Sequence, residues 1–211
     1  MQERLVPTPL GDARLLVSEA DTAAAILVLG HGAGGGAHAR DLAALARALP
    51  PMGVTVIRVE QPWRVAGRRV APRPPTLDQG WLAALEAVVV EEPLIVGGRS
   101  AGARVACRTA TLLTAAGVLC CAFPLHLPGR PERSRFEELA GAGVPTLVIQ
   151  GGRDSFGRPD EFPSGSHQLA VIEHADHSMA VPKGHDQKRA LDQVVTAAAA
   201  WIGNVLGVQL R

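Results

Sequence analysis

The 211 residues suffice for one sizeable hydrophobic core and are too few for two ordinary domains, so a single domain over 1–211 is expected. Apolar residues make up 47% and charged residues 19%, which excludes a disordered chain. With 21 basic against 20 acidic residues, no Tyr and few Phe or Trp, the chain offers neither a field nor stacking platforms for nucleic acid.

The N-terminal MQERLVPTPLGDARLL lacks the basic-then-apolar pattern of a signal peptide, and no uninterrupted apolar run reaches membrane-spanning length. A cytoplasmic chain without a membrane partner is therefore expected. Its oligomeric state is not readable. Cys107, Cys120 and Cys121 have no metal-ligand spacing, and an odd number with two in one apolar run fits buried reduced thiols.

In chain order, Arg4–Thr8 and Ala13–Ser18 flank Leu10-Gly11-Asp12 and predict an antiparallel hairpin. Ala25–Gly30 predicts a buried strand, followed by the loop HGAGGG. Leu42, Leu45, Ala46 and Leu49 then recur at helical spacing over Ala39–Leu49, stopped by Pro50-Pro51. Val54–Val59 predicts the next strand, and Gln61–Pro75 a loop rich in Arg and Pro. Thr76 is positioned to cap a helix running through Trp81, Leu82, Leu85 and Val89. Pro93–Gly97 predicts a strand leading into Gly98-Arg99-Ser100-Ala101-Gly102 and an alanine-rich helix.

Gly117–Phe123 predicts a further strand and Pro124–Arg133 a proline-rich loop, with a short helix from Ser134. Pro145–Gln150 and Gln168–Glu173 complete the strands, and Asp186–Leu206 the helices. Strands alternating with helices, with nearly continuous apolar runs in the strands, predict a layered α/β fold. Its mainly parallel sheet would be covered by helices on both faces.

The motif GRSAG is a G-x-S-x-G set between a predicted strand and a predicted helix. A nucleophile on so tight a turn needs small neighbours, which Gly98 and Gly102 supply, and the helix start places backbone N–H groups beside developing negative charge. A helix N-cap is the plainer reading of Ser100. Against it stands His31-Gly32-Ala33-Gly34-Gly35-Gly36 after an early strand, where the amides of Ala33 (or Gly34) and Ala101 become candidates for an oxyanion hole. A phosphate loop there is disfavoured, because no Lys-Ser or Lys-Thr follows and G-x-G-x-x-G is missing. His31 precedes the serine and reads as a loop-shaping residue.

After the serine, an acid is expected beyond one late strand and a histidine beyond the next. Asp154 follows PTLVIQ and His177 follows QLAVIE, with Asp160, Glu161 and Asp176 as rival acids. His167, His174 and His185 are rival bases, His174 the strongest. HADH has no third ligand at metal spacing, so no metal and no cofactor is expected. Trp63 is a candidate pocket wall, and His126 a candidate substrate contact at the rim. Arg64, Arg68, Arg69 and Arg73 read as a solvated loop, Trp81 and Trp201 as packing residues. Only one short helix lies between Phe123 and Pro145, the usual place of a lid in this arrangement, so no sizeable lid is expected.

Together LGHGAGGG, RVEQPWRVAGRRVAP, GGRSAGARVA, PLHLPGRPERSR and VIQGGRDSFG resemble the α/β-hydrolase superfamily across essentially the whole chain. More narrowly they resemble a compact dienelactone-hydrolase-related branch with bacterial hydrolases and chromatin-associated eukaryotic relatives. Ala103 departs from a glycine common in that branch, while the elbow glycines remain. The resemblance implies the α/β-hydrolase fold and, on the matching motifs, a triad of Ser100, Asp154 and His177. A serine hydrolase acting on a small carboxylic ester or thioester follows. Some relatives lack the triad, which leaves a non-catalytic binding module as the alternative and a small peptidase as a weaker one.

Overall fold

The strands of this chain leave the sheet no free choice of layer. In β3 (Ala25–Gly30) every residue is buried, and successive side chains point to opposite faces. Ile26 and Val28 join one apolar cluster, with Trp81, Val105 and Phe123. Leu27 and Leu29 join a second, with Leu42, Leu45, Val194 and Trp201. A sheet apolar on both sides requires helices on both sides, and the computed structural model, which describes residues 1–89 and 91–210, has them.

Eight strands form one sheet in the order β1-β2-β4-β3-β5-β6-β7-β8. β1 (Gln2–Val6) pairs antiparallel with β2 (Ala13–Ser18), and β2 antiparallel with β4 (Val54–Glu60). All remaining pairs are parallel: β3 with β4 and with β5 (Leu94–Arg99), then β6 (Gly117–Cys121), β7 (Thr146–Gly151) and β8 (His167–Ile172). α1 (Arg40–Ala48) and α6 (Gln187–Leu206) contribute to one core cluster, α3 (Pro74–Leu85) and α4 (Ala101–Thr109) to the other. Two short helices, α2 (Pro62–Val65) and α5 (Phe136–Ala140), complete the set. No described helix is long and apolar enough to cross a membrane. Trp81 and Trp201 pack in the two cores, and the three cysteines are buried and unbridged.

Several boundaries differ from expectation for local reasons. The first strand lies two residues earlier, at Gln2–Val6, because Pro7 cannot donate to the ladder. The helix assigned to a Thr76 cap begins at Pro74, with Arg73 at the N-cap. Pro74 and Pro75 fill the first-turn positions, where a missing N–H costs nothing. It stops at Leu85, short of Val89, which is exposed. The supposed loop after Gln61 contains α2, started by Pro62. At the far end, Asp186 Oδ1 accepts from the amides of Lys188 and Arg189, and Gly207 closes α6 in the left-handed conformation.

Between Phe123 and Pro145 there are turns, a bridge between Leu127 and Arg130 and the single helix α5, so among the described residues this segment builds no lid domain.

Candidate active site

β5 ends in Arg99, and the chain turns at Ser100 directly into α4. Ser100 sits at φ 53°, ψ −113°, outside the regions that side chains favour. The turn is held by an N–H of Ser100 donating to Cys121 O at 3.0 Å. It also requires close backbone approach. A Cβ on Gly98 would lie 2.5 Å from Gly30 O, and one on Gly102 would collide with the Gly30 carbonyl. These glycines therefore let α4 start against the end of β3. The first intrahelical bond of α4 runs from Arg104 N to Ser100 O, which leaves the amides of Ala101, Gly102 and Ala103 without intrahelical acceptors.

Beyond β7 and β8 the chain returns to this point. Asp154 is fully buried, and its carboxylate accepts from His177 Nδ1 at 2.8 and 3.0 Å. The same carboxylate accepts from Gln150 Nε2 at 2.9 Å and from the Phe156 amide at 2.8 Å. Three donors thus fix its orientation and offset the loss of water around a buried carboxylate. His177 Nε2 lies 3.0 Å from Ser100 Oγ. Phe156 stacks on the imidazole with ring centroids 4.1 Å apart. The backbone of His177 is held by a tight turn in which Asp176 Oδ1 accepts from the amides of Ser178 and Ala180. The Arg99 guanidinium also donates to the His177 carbonyl.

The loop after β3 lies against the nucleophile: a Cβ on Gly32 would be 3.3 Å from Ser100 Cβ. His31 Nε2 accepts from the Gln61 amide at 3.1 Å, so its proton is on Nδ1, which donates to Gly32 O at 2.8 Å. Burial holds the His31 pKa below its usual value. Among the described residues no peptide is cis, so with the Gly32 carbonyl turned to His31 the Ala33 N–H points the opposite way. Ala33 and Ala101 line one small cavity of about 10 Å³, together with His31, Gln61 and Trp63. That space holds roughly one water.

A family model described as an alpha/beta hydrolase domain matches residues 23–203. The chain belongs to the alpha/beta hydrolase family. Its fold is similar to XC6422 of Xanthomonas campestris, described as an α/β serine hydrolase without lid. The TM-score is 0.75 at 20% identity, covering 96% of this chain and 94% of that one. An alpha-beta serine hydrolase homologue of Coxiella burnetii gives 0.74 at 17% identity, covering 94% and 97%. Est1E of Butyrivibrio proteoclasticus gives 0.71 at 12% identity, covering 96% and 100%.

Within this hydrolase the rival acids and bases lie elsewhere. The His174 ring lies tilted against His185, with centroids 3.8 Å apart and its side chain half exposed. Glu161 accepts from His126, Asp176 serves its own turn, and Asp160 is exposed. His126 is buried, with Nδ1 at 2.9 Å from Leu127 O and Nε2 at 3.2 Å from Glu161 Oε1. Its amide donates to Phe156 O, and the residue braces the acid loop. Trp63 is buried, its ring tilted against His31 at 5.5 Å. Among the described residues, no three of His, Cys, Asp and Glu converge to hold a metal ion.

Gln150, Phe156 and the pair Arg99–Asp41 are not marked by any motif in the sequence. Gln150 had a visible signal, a polar residue closing an apolar strand. Phe156 and Asp41 had none.

Proposed function

We propose that the protein is a serine hydrolase acting on a small carboxylic ester or thioester, with Ser100 as nucleophile, His177 as general base and Asp154 as its partner. The observation that carries this reading is the unbroken chain from Ser100 Oγ through His177 to the buried Asp154 carboxylate. It begins at Ser100, whose backbone is held in a sparsely populated conformation at a sharp turn that presents its side chain.

As Ser100 Oγ attacks the carbonyl carbon, His177 Nε2 takes its proton. Asp154, bonded to Nδ1, keeps the imidazole in the tautomer that leaves Nε2 free and stabilises the imidazolium that forms. The carbonyl oxygen becomes an oxyanion facing the amides of Ala33 and Ala101, the latter reinforced by the start of α4. His177 returns the proton to the leaving alcohol or thiol. It next deprotonates a water that attacks the acyl-enzyme, and the carboxylic acid leaves with Ser100 restored. Trp63 forms part of the wall beside the oxyanion amides.

Hydrolysis of p-nitrophenyl acetate and of an acetyl thioester tests the reading. Ser100→Ala and His177→Gln each lower kcat/KM by ~10³-fold or more. A Ser100→Ala protein that hydrolyses both at the wild-type rate contradicts it.

A further inference from the structure

We infer that Arg99, the residue before the nucleophile, is a positioning residue that ties the base loop to the nucleophile's strand and sets the charge balance at His177, with Asp41 as its buried counterion. The inference rests on the triad reading for its catalytic meaning.

One guanidinium spans three pieces of chain that the proposed reaction needs in register. It extends from the residue bonded to Ser100, and donates to the carbonyl of His177. A Cβ on Gly32, in the oxyanion loop, would meet its Nη1 at 3.4 Å. Its Nε stands 3.2 Å from Asp41 Oδ2 in an ion pair held by charge rather than by an aligned hydrogen bond. Asp41 has no exposed surface and lies in the first turn of α1, where its Oδ1 accepts from the Leu42 amide. A charge so placed is costly without a partner. Burial pushes the Asp41 carboxyl up, while Arg99 and, more weakly, His177 pull it down.

Asp154 orients the imidazole; Arg99 fixes the backbone from which the imidazole hangs. A residue that could swing on the Asp176–Ala180 turn is thereby held at both ends. The charged groups around His177 are Asp154 after β7, Arg99 at the end of β5 and Asp41 on α1. Asp176 stands in its own turn, with Arg40 of α1 beside it. Removing the Arg99 cation favours the imidazolium, and removing the Asp41 anion disfavours it.

The test follows the His177 imidazole through a pH titration by NMR, alongside kcat, KM and melting temperature, in wild type, Arg99→Lys and Asp41→Asn. The titration needs no turnover, so its outcome is independent of whether the ester-hydrolase reading stands. Expected is a His177 midpoint lowered by ~0.5 unit or more in Asp41→Asn, where the Arg99 cation stands without its counterion. Arg99→Lys keeps the midpoint near wild type. It lowers kcat by ~10- to 100-fold with KM little changed, because one ammonium cannot hold the His177 carbonyl and Asp41 together. A His177 midpoint that stays put in Asp41→Asn overturns the charge coupling. An Arg99→Lys enzyme with wild-type kcat overturns the positioning role. A wild type that hydrolyses no ester removes the triad reading while leaving the titration result to stand or fall by itself.

Discussion

Ser100 combines a side chain the proposed chemistry needs with a backbone conformation that side chains resist, φ 53° and ψ −113°. A non-glycine residue held in so sparsely populated a region costs about 1–3 kcal/mol. The surrounding contacts, Gly30 against Gly98 and Gly102 and the Ser100 amide on Cys121 O, over-determine the turn and keep it there. Replacing Ser100 by Ala and by Gly removes the same hydroxyl, but only glycine relieves the strain. Ser100→Gly therefore unfolds at higher urea than Ser100→Ala, and both lack activity; a midpoint for Gly equal to or below that of Ala contradicts the strain. The three triad candidates were legible in the sequence because each follows an apolar strand at a fixed place in chain order. The contacts of Arg99 and Gln150, and the engagement of both His126 nitrogens, were not. They join residues distant in sequence through ordinary side chains that carry no motif.

At the level of elements, the elbow helix α4 is anchored by charge as well as by its apolar face. Arg104 Nε donates to Glu138 Oε2 of α5 at 2.9 Å, and Arg108 Nη1 donates to the same oxygen at 2.6 Å. Arg108 also holds Asp78 of α3 through two hydrogen bonds of 2.9 and 2.6 Å. Burial pushes the Glu138 carboxyl up, but Arg104 and Arg108 outweigh it and leave its pKa below the usual 4.5. A carboxyl whose folded pKa is depressed contributes stability that is complete above its unfolded value and is lost as pH falls through its folded value. Glu138→Gln is thus expected to cost about 1–3 kcal/mol at pH 7 and progressively less below pH 4.5. Urea unfolding of wild type and variant at pH 7 and pH 3 checks this, and a gap that widens at pH 3 contradicts it. The order and type of the elements, apart from α2, were readable from hydrophobic periodicity. Boundaries at prolines were not, since Pro7 ends a strand while Pro62 and Pro74 begin helices.

Over the whole molecule, a sheet covered on both faces leaves the ends of its parallel strands open, and among the described residues no lid domain closes over them. The cavity between Ala33, Ala101 and Trp63 is only about 10 Å³. A long acyl chain therefore finds little apolar wall, although each methylene it buried would contribute about 0.8 kcal/mol. kcat/KM across p-nitrophenyl esters from acetate to palmitate should stop rising after the short acyl groups, whereas a steady climb to palmitate contradicts an open, shallow site. The central claim, that Ser100 is a nucleophile activated by His177 on Asp154, is tested most directly by reacting the native protein with a fluorophosphonate and mapping the adduct by mass spectrometry. One adduct is expected, on Ser100, and the adduct is lost in the folded Ser100→Ala protein. An unlabelled native protein, or an adduct on any other residue, contradicts the claim.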